Sequence, residues 1–219
     1  MAGRVDQTGA VRSASSAEVR RRLLEVAAHM VREEGASALS ARRLAAAAGT
    51  STMAVYTHFG GMPGLVRAMV AEGFQRLFER VAAVPITEDP LLDLRNATAA
   101  YRAHARADPD LYAVMFGAAT LGEYRLHRED RILGLDAFVQ IRQFMERGMA
   151  AGVLREADPA VVAAQWWTAL HGFVMLEQSK FIDVVDDAED TVLWPLMDHL
   201  LSSLVVRRQE LDGHREPYV

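Results

Sequence analysis

The feature that most limits the fold is the spacing of the apolar residues. From Leu23 onward they recur three and four positions apart, and no segment alternates as a half-buried strand does. Leu23, Leu24, Ala27, Ala28 and Val31 set this period before Gly35, and Gly or Pro steps cut the rest into further helical pieces. Ser15-Ser16-Ala17-Glu18 has the spacing of a capping box for the first helix. Ser40 caps a short second one, ARRLAAAA, closed by Gly49; Thr50 or Ser51 caps a third, TMAVYTHF, ended by Gly60-Gly61. Pro63 suits the first turn of a fourth, which Pro85 stops. Asp89-Pro90, Asp108-Pro109 and Asp158-Pro159 open three more, and a long helix spans about Glu123 to Ala151. The acidic cluster Asp186 to Asp190 favours the start of a last helix, through Val206, with Pro195 in its first turns.

The predicted fold class is therefore all-α, with about nine helices. A three-helix N-terminal unit, 16–61, follows a mobile tail, 1–15; a linking helix, 62–84, joins it to a larger helical domain, 85–210, and a tail, 211–219. No cysteine is present, so disulfide frameworks and thiolate metal sites are excluded. No apolar run is long enough for a membrane span or a signal core, which predicts a soluble, cytoplasmic protein without a membrane partner.

The net charge of −5 is unevenly placed. Residues 1–70 hold nine Arg against five acids, a balance of +4, and the rest of the chain carries −9. The basic end contains TSTMAVYTHFGG, residues 50–61, which has no charged residue beyond a protonatable His58. Two short helices joined around Gly49 have the layout of a helix-turn-helix, whose second helix enters the major groove of double-stranded DNA. Thr50, Ser51, Thr52 and Thr57 offer short hydroxyls for phosphate or base edges, and Tyr56 and His58 longer donors. Met53 and Ala54 suit a thymine methyl. Hydroxyl-rich turns beside glycine also occur in helical proteins with no such task.

The order of residues adds to this. LSARRLAAAAGTSTMAVYTHFGG resembles the DNA-binding segment of the TetR family of bacterial transcriptional regulators, with Ser40, Leu44, Ala45, Ala48, Gly49, Ser51, Val55, Tyr56, His58 and Phe59 matching in kind and spacing. The resemblance implies that Arg42 reaches a guanine edge or a phosphate, that Tyr56 contacts phosphate beside a DNA-facing His58, and that residues 50–54 set operator sequence. Leu44, Val55 and Phe59 belong to the core. One departure stands out: the family often has a basic residue at the start of the fourth helix, where this chain has Met62-Pro63-Gly64. Backbone amides there, or Arg4 and Arg12 in the tail, are the substitutes.

For the C-terminal part the resemblance implies a homodimer, a palindromic operator and a small-molecule effector that releases a repressor. TALHGFVMLE after Trp166-Trp167 resembles a Trp-x3-His-Gly feature of one C-domain subgroup, at Trp167, His171 and Gly172. The helices Asp158–Lys180 and Thr191–Val206 carry broad apolar faces and are the candidate dimer interface. Tyr112, Met115, Phe116, Phe138, Ile141, Phe144, Trp167 and His171 are the candidate effector contacts, a largely apolar lining that suits a largely apolar ligand; a filled core with no cavity is the ordinary alternative.

Two other function classes remain to be weighed. A ligand-independent DNA-binding accessory factor does not need a C-terminal part this long. A helical metal enzyme needs ligands, and His104–Asp108 and His127–Asp130 each place His beside carboxylates; neither has a His pair at i and i+4 or a second motif, and both lie in charged runs typical of solvated faces. No cofactor signature, phosphate loop or catalytic triad order is present.

Overall fold

A computed structural model describes residues 7–116, 132 and 134–205. Among the described residues there are nine α-helices and no strand, as the apolar spacing predicts.

Helix α1 spans Gln7–Glu34 and stops where Gly35 turns left-handed, at φ 80°. It begins ahead of Ser15, so the capping box read at Ser15 to Glu18 lies inside the helix. Nothing in QTGAVRSA forbids extension toward the N-terminus, and Glu18 pairs with Arg21 instead of turning back on a cap. Helix α2 (Ala41–Ala47) starts as expected: Ser40 Oγ accepts from the Arg43 amide at 3.4 Å. A left-handed Gly49, φ 64°, makes the turn to α3 (Thr52–Phe59). Ser51 holds the N-cap position there, but its hydroxyl makes no capping bond. Helix α4 (Met62–Ala82) follows after only Gly60 and Gly61, both at positive φ, with Pro63 in its first turn.

Downstream, the Asp-Pro steps work by their side chains. Asp89 accepts from Leu91 and Leu92 amides at the start of α5 (Pro90–Ala107), Asp108 from Leu111 in α6 (Pro109–Met115), and Asp158 from Ala160 and Val161 in α8 (Pro159–Gln178). Helix α7 is Leu135–Ala150. The part of that segment expected from Glu123 lies outside the described residues up to 131.

The last helix departs from expectation. Glu189–Leu193 forms a π-helical turn in which the Trp194 amide reaches the Glu189 carbonyl, and α9 covers only Trp194–Ser202. Pro195 has no N–H for the Thr191 carbonyl, so the wider turn falls just before it. The helix ends early because the chain bends to pair Leu154 with Val205, and the Arg155 amide with the Leu204 carbonyl at 2.7 Å.

The chain divides into two compact units, Met1–Val84 with Ala97–Gln140, and Pro85–Asn96 with Ile141–Val219. The linear division at 84–85 therefore does not describe the packing, since most of α5 and all of α6 group with the N-terminal helices. In the first unit Leu23, Ala27, Val31, Leu44, Val55, Leu65 and Val66 are wholly buried and bring α1 to α4 together. Helix α4 lies so close to α6 that a Cβ on Gly73 would sit 2.5 Å from Met115 Sδ. The Tyr101 and Tyr112 hydroxyls share a buried hydrogen bond of 2.7 Å. In the second unit the α8 stripe Ala163, Trp166, Leu170 and Phe173 is core, packed against α9 and its Met197. Asp93, fully buried, accepts from the Thr87 amide at 3.0 Å, from the Thr87 hydroxyl at 2.7 Å and from Arg147 of α7.

Candidate nucleic-acid interface

Helix α3 has two unlike sides. Val55 is 0% exposed, in the core with Leu44, whereas Met53 is 68% and Tyr56 58% exposed. Ser51, Thr52 and Thr57 are exposed with them; Thr50, Ala54 and His58 are half-buried. Thr50 is tied by its amide to the Ala45 carbonyl at 2.9 Å, which fixes the turn. His58 sits edge-on to Phe59, ring centroids 6.3 Å apart. The exposed side thus carries hydroxyls, a thioether and a phenol with no charge to confine them to one partner. Its alignment follows from a buried Val55 and a short helix held at both ends by glycine turns.

The two arginines of α2 are treated differently by the fold. Arg43 donates to the Ala38 carbonyl at 3.0 Å and to Glu34 at 2.5 Å, which fastens α2 to the end of α1. Arg42 is exposed and has no such partner among the described residues. Ser40 spends its acceptor on the cap while its side chain stays exposed. Residues 40, 42, 51–53, 56 and 57 are thereby presented to solvent by two adjoining short helices.

The start of α4 offers no basic side chain. Gly61 is buried, and a Cβ there would lie 3.4 Å from the Tyr56 ring. Arg12 falls within α1, and Arg4 lies outside the described residues. Two arginines that local sequence reasoning did not single out do lie beside α3. Arg20 is over the Phe59 ring at 5.2 Å, and Arg22 Nη2 lies 3.5 Å from the place of a Cβ on Gly49. The signal for them is their position on either side of Leu23 on α1, which appears only once that residue is known to be core.

The candidate effector contacts fall into both units. Tyr112 and Met115 are almost wholly buried, and Phe116, half-buried, touches Tyr112 at 4.8 Å and Phe74 at 5.4 Å between ring centroids. Phe138, half-buried, belongs to the same unit. Ile141 and Phe144 are buried in the other unit, where Trp167 and His171 are half-buried with rings 5.6 Å apart. Burial lowers the pKa of His171, which favours its neutral imidazole form. Burial likewise drives the Tyr112 phenol far upward, with Tyr101 adding to the effect.

His104 and Asp108 do not form a metal site. Asp108 caps α6, and burial, followed by the charges of Arg80 and Arg76, brings His104 down to about 4. Among the described residues no group of His, Asp and Glu is placed to hold a metal; His127 and Asp130 lie outside them. No helix among those residues is long and apolar enough to cross a membrane.

The likeness to known proteins runs through both parts of the chain. The family model described as bacterial regulatory proteins, tetR family, matches residues 23–69, and the one described as tetracyclin repressor-like, C-terminal domain, matches residues 94–200. The uncharacterized HTH-type transcriptional regulator Rv0681 of Mycobacterium tuberculosis is 29% identical over 182 residues, covering 76% of this chain and 73% of the relative. A protein of unknown function from Rhodococcus sp. RHA1 has the same fold at TM-score 0.74 and 24% identity, over 86% of this chain and 96% of its own. SmeT, the repressor of the Stenotrophomonas maltophilia multidrug efflux pump SmeDEF, solved also with triclosan, has it at TM-score 0.63 and 19% identity, over 92% of this chain and 99% of its own in that complex. With both of its domains matched and the exposed α3 in place, this chain belongs to the TetR family of bacterial transcriptional regulators, DNA-binding proteins and not enzymes.

Proposed function

We propose that the protein is a homodimeric repressor that reads a palindromic operator through α2 and α3 and is released by a small, largely apolar effector. The observation that carries this reading is the contrast on α3, Val55 sealed in the core with Met53 and Tyr56 open beside Thr52 and Thr57. In this reading Tyr56 and Ser51 hold phosphate, Arg42 a phosphate or guanine edge, and Thr52, Met53 and Ala54 the bases. Two subunits place their α3 helices about 34–36 Å apart, one turn of B-DNA.

Dimerisation is supported by apolar side chains left open on the C-terminal unit. Val161 and Leu176 on α8, Leu196 on α9, and Phe181 and Val184 between those helices are all exposed. The effector reading is supported by SmeT, a repressor of the same fold that was solved with triclosan. Of the candidate contacts, Phe116, Phe138, Trp167 and His171 retain exposure, while Tyr112 and Met115 are packed as core. Coupling of about 1–3 kcal/mol between effector and operator changes occupancy roughly 5–150-fold. The protein then acts in the cytoplasm, where its operator is.

Selection of duplexes from a randomised pool by the purified protein tests the reading. A recovered inverted repeat with half-sites one helical turn apart supports it; recovery of no common sequence overturns it.

A further inference from the structure

Helix α3 holds no Arg, Lys, Asp or Glu, Arg43 is held by Glu34, and the first turn of α4, Met62-Pro63-Gly64, offers no basic side chain. A DNA interface built on α3 therefore draws its positive charge from neighbours. Three consecutive arginines on α1 sort themselves with respect to that need. Arg21 is engaged by Glu18, at 3.0 Å, and by Glu25. Arg20 and Arg22 are exposed and have no carboxylate within ion-pair distance among the described residues. Glu18 feels the charge of Arg22, but its hydrogen bonds go to Arg21.

At about 100° per residue, Arg20 emerges about 60° to one side of the buried Leu23 and Arg22 about 100° to the other. Both therefore leave α1 at the border of its core face, beside the helices it covers. Their contacts agree: Arg20 lies over the ring of Phe59, the last residue of α3, at 5.2 Å, and Arg22 Nη2 lies 3.5 Å from where Gly49, in the turn before α3, would carry a Cβ. The reading helix is bracketed by two exposed guanidinium groups, one at each end. Neither arginine lies within residues 23–69, the segment that matches the family.

We propose that Arg20 and Arg22 are phosphate contacts that grip the DNA backbone on either side of α3. A guanidinium presents paired donors that suit a phosphate, and a cation–π contact with the Phe59 ring at 5.2 Å steadies Arg20 without using those donors. This rests on the DNA-binding reading above. A purely structural role, packing against Phe59 and the turn, predicts altered stability and an unaltered salt dependence.

The test is the salt dependence of binding by the full chain, followed by fluorescence anisotropy on a duplex from the gene's upstream region and on an unrelated duplex of equal length. Each phosphate contact adds about 0.9 to the slope of log affinity against log salt. The R20Q/R22Q variant should lose about 1.8 in slope per bound subunit, weakening on both duplexes alike, and each single variant about half of that. R21Q should keep the wild-type slope, and R20K/R22K should nearly do so, because the charge remains. Unchanged slope in both single variants overturns the proposal, as does a loss confined to the upstream duplex, which would place the arginines on base edges. Wild-type protein that binds neither duplex overturns the DNA reading itself, a separate result. Single variants and the Lys pair also guard against misfolding of the double Gln variant, checked by thermal unfolding.

Discussion

A Cβ on Gly64 would lie 1.7 Å from the Phe59 carbonyl oxygen and 2.8 Å from its carbon. The first turn of α4 thus runs directly over the last residue of α3, and backbone has no way to yield as a side chain does. Gly64→Ala should lower stability by about 3 kcal/mol or more, at the upper end of overpacking costs, and remove DNA binding with it. Gly73→Ala should cost less, about 1–2 kcal/mol, because the atoms it meets within 3.0 Å belong to the Met115 side chain, which is buried but can shift where backbone cannot. Thermal unfolding of the two variants compares them directly; equal losses would contradict the account of the α3–α4 junction.

Arg42 and Arg43 are neighbours in unlike surroundings, Arg43 held by Glu34 and the Ala38 carbonyl and Arg42 exposed. Arg42→Gln should weaken operator binding by about 1–3 kcal/mol while leaving the melting temperature in place. Arg43→Gln removes an exposed pair with Glu34 and should cost at most about 1 kcal/mol of stability, with little effect on affinity. Anisotropy and melting curves on both variants check the division, and a reversed pattern would refute it.

Asp93 and Arg147 hold the loop at Thr87 to α7. Burial raises the Asp93 carboxyl, but hydrogen bonds from Arg147 and Thr87 outweigh this and leave its pKa below the ordinary carboxylate value. The unfolded chain then binds the proton more readily, so this stabilisation is complete above about pH 5 and is lost as pH falls through the folded pKa. Asp93→Asn should destabilise by about 3 kcal/mol near pH 7, the low end for a buried pair because Arg147 is partly exposed, and should flatten the acid limb of stability. Urea midpoints from pH 7 to pH 3 measure both effects.

His104 works at a higher pH. Its folded pKa of about 4 lies below the unfolded value, so protonation favours the unfolded chain and stability falls as pH drops from about 6.5 to about 4. At 1.36 kcal/mol per unit the loss amounts to about 3 kcal/mol. A His104→Gln variant should lack this part of the slope, and urea midpoints at pH 7 and pH 4.5 for the two proteins would show it. A parallel pH dependence would contradict the assignment.

What the sequence made legible was local chemistry. Ser40, Asp108 and Asp158 cap the helices that follow them, because caps depend on residues a few positions apart. Ser51 shows the limit even there, since it occupies its cap without bonding. The start of α1 was not legible because helix-compatible residues before Ser15 leave extension and fraying equally open to pattern reading. The shortened α9 depends on a return of the chain to Leu154, and the clamp on Asp93 on Arg147, both far away in sequence. At the proposed interface, motif order singled out Arg42, Ser51, Thr52, Tyr56 and Thr57, which are exposed, whereas Arg20 and Arg22 stand out only through Phe59 and Gly49 in space.

The central claim is that the open side of α3 reads a two-fold symmetric operator. Footprinting the purified protein on the upstream region of its own gene tests it most directly. The account predicts a protected inverted repeat at nanomolar to micromolar protein, lost in an Arg42→Gln, Tyr56→Phe double variant that still folds. No protected symmetric site at those concentrations, or full protection by the double variant, would contradict it.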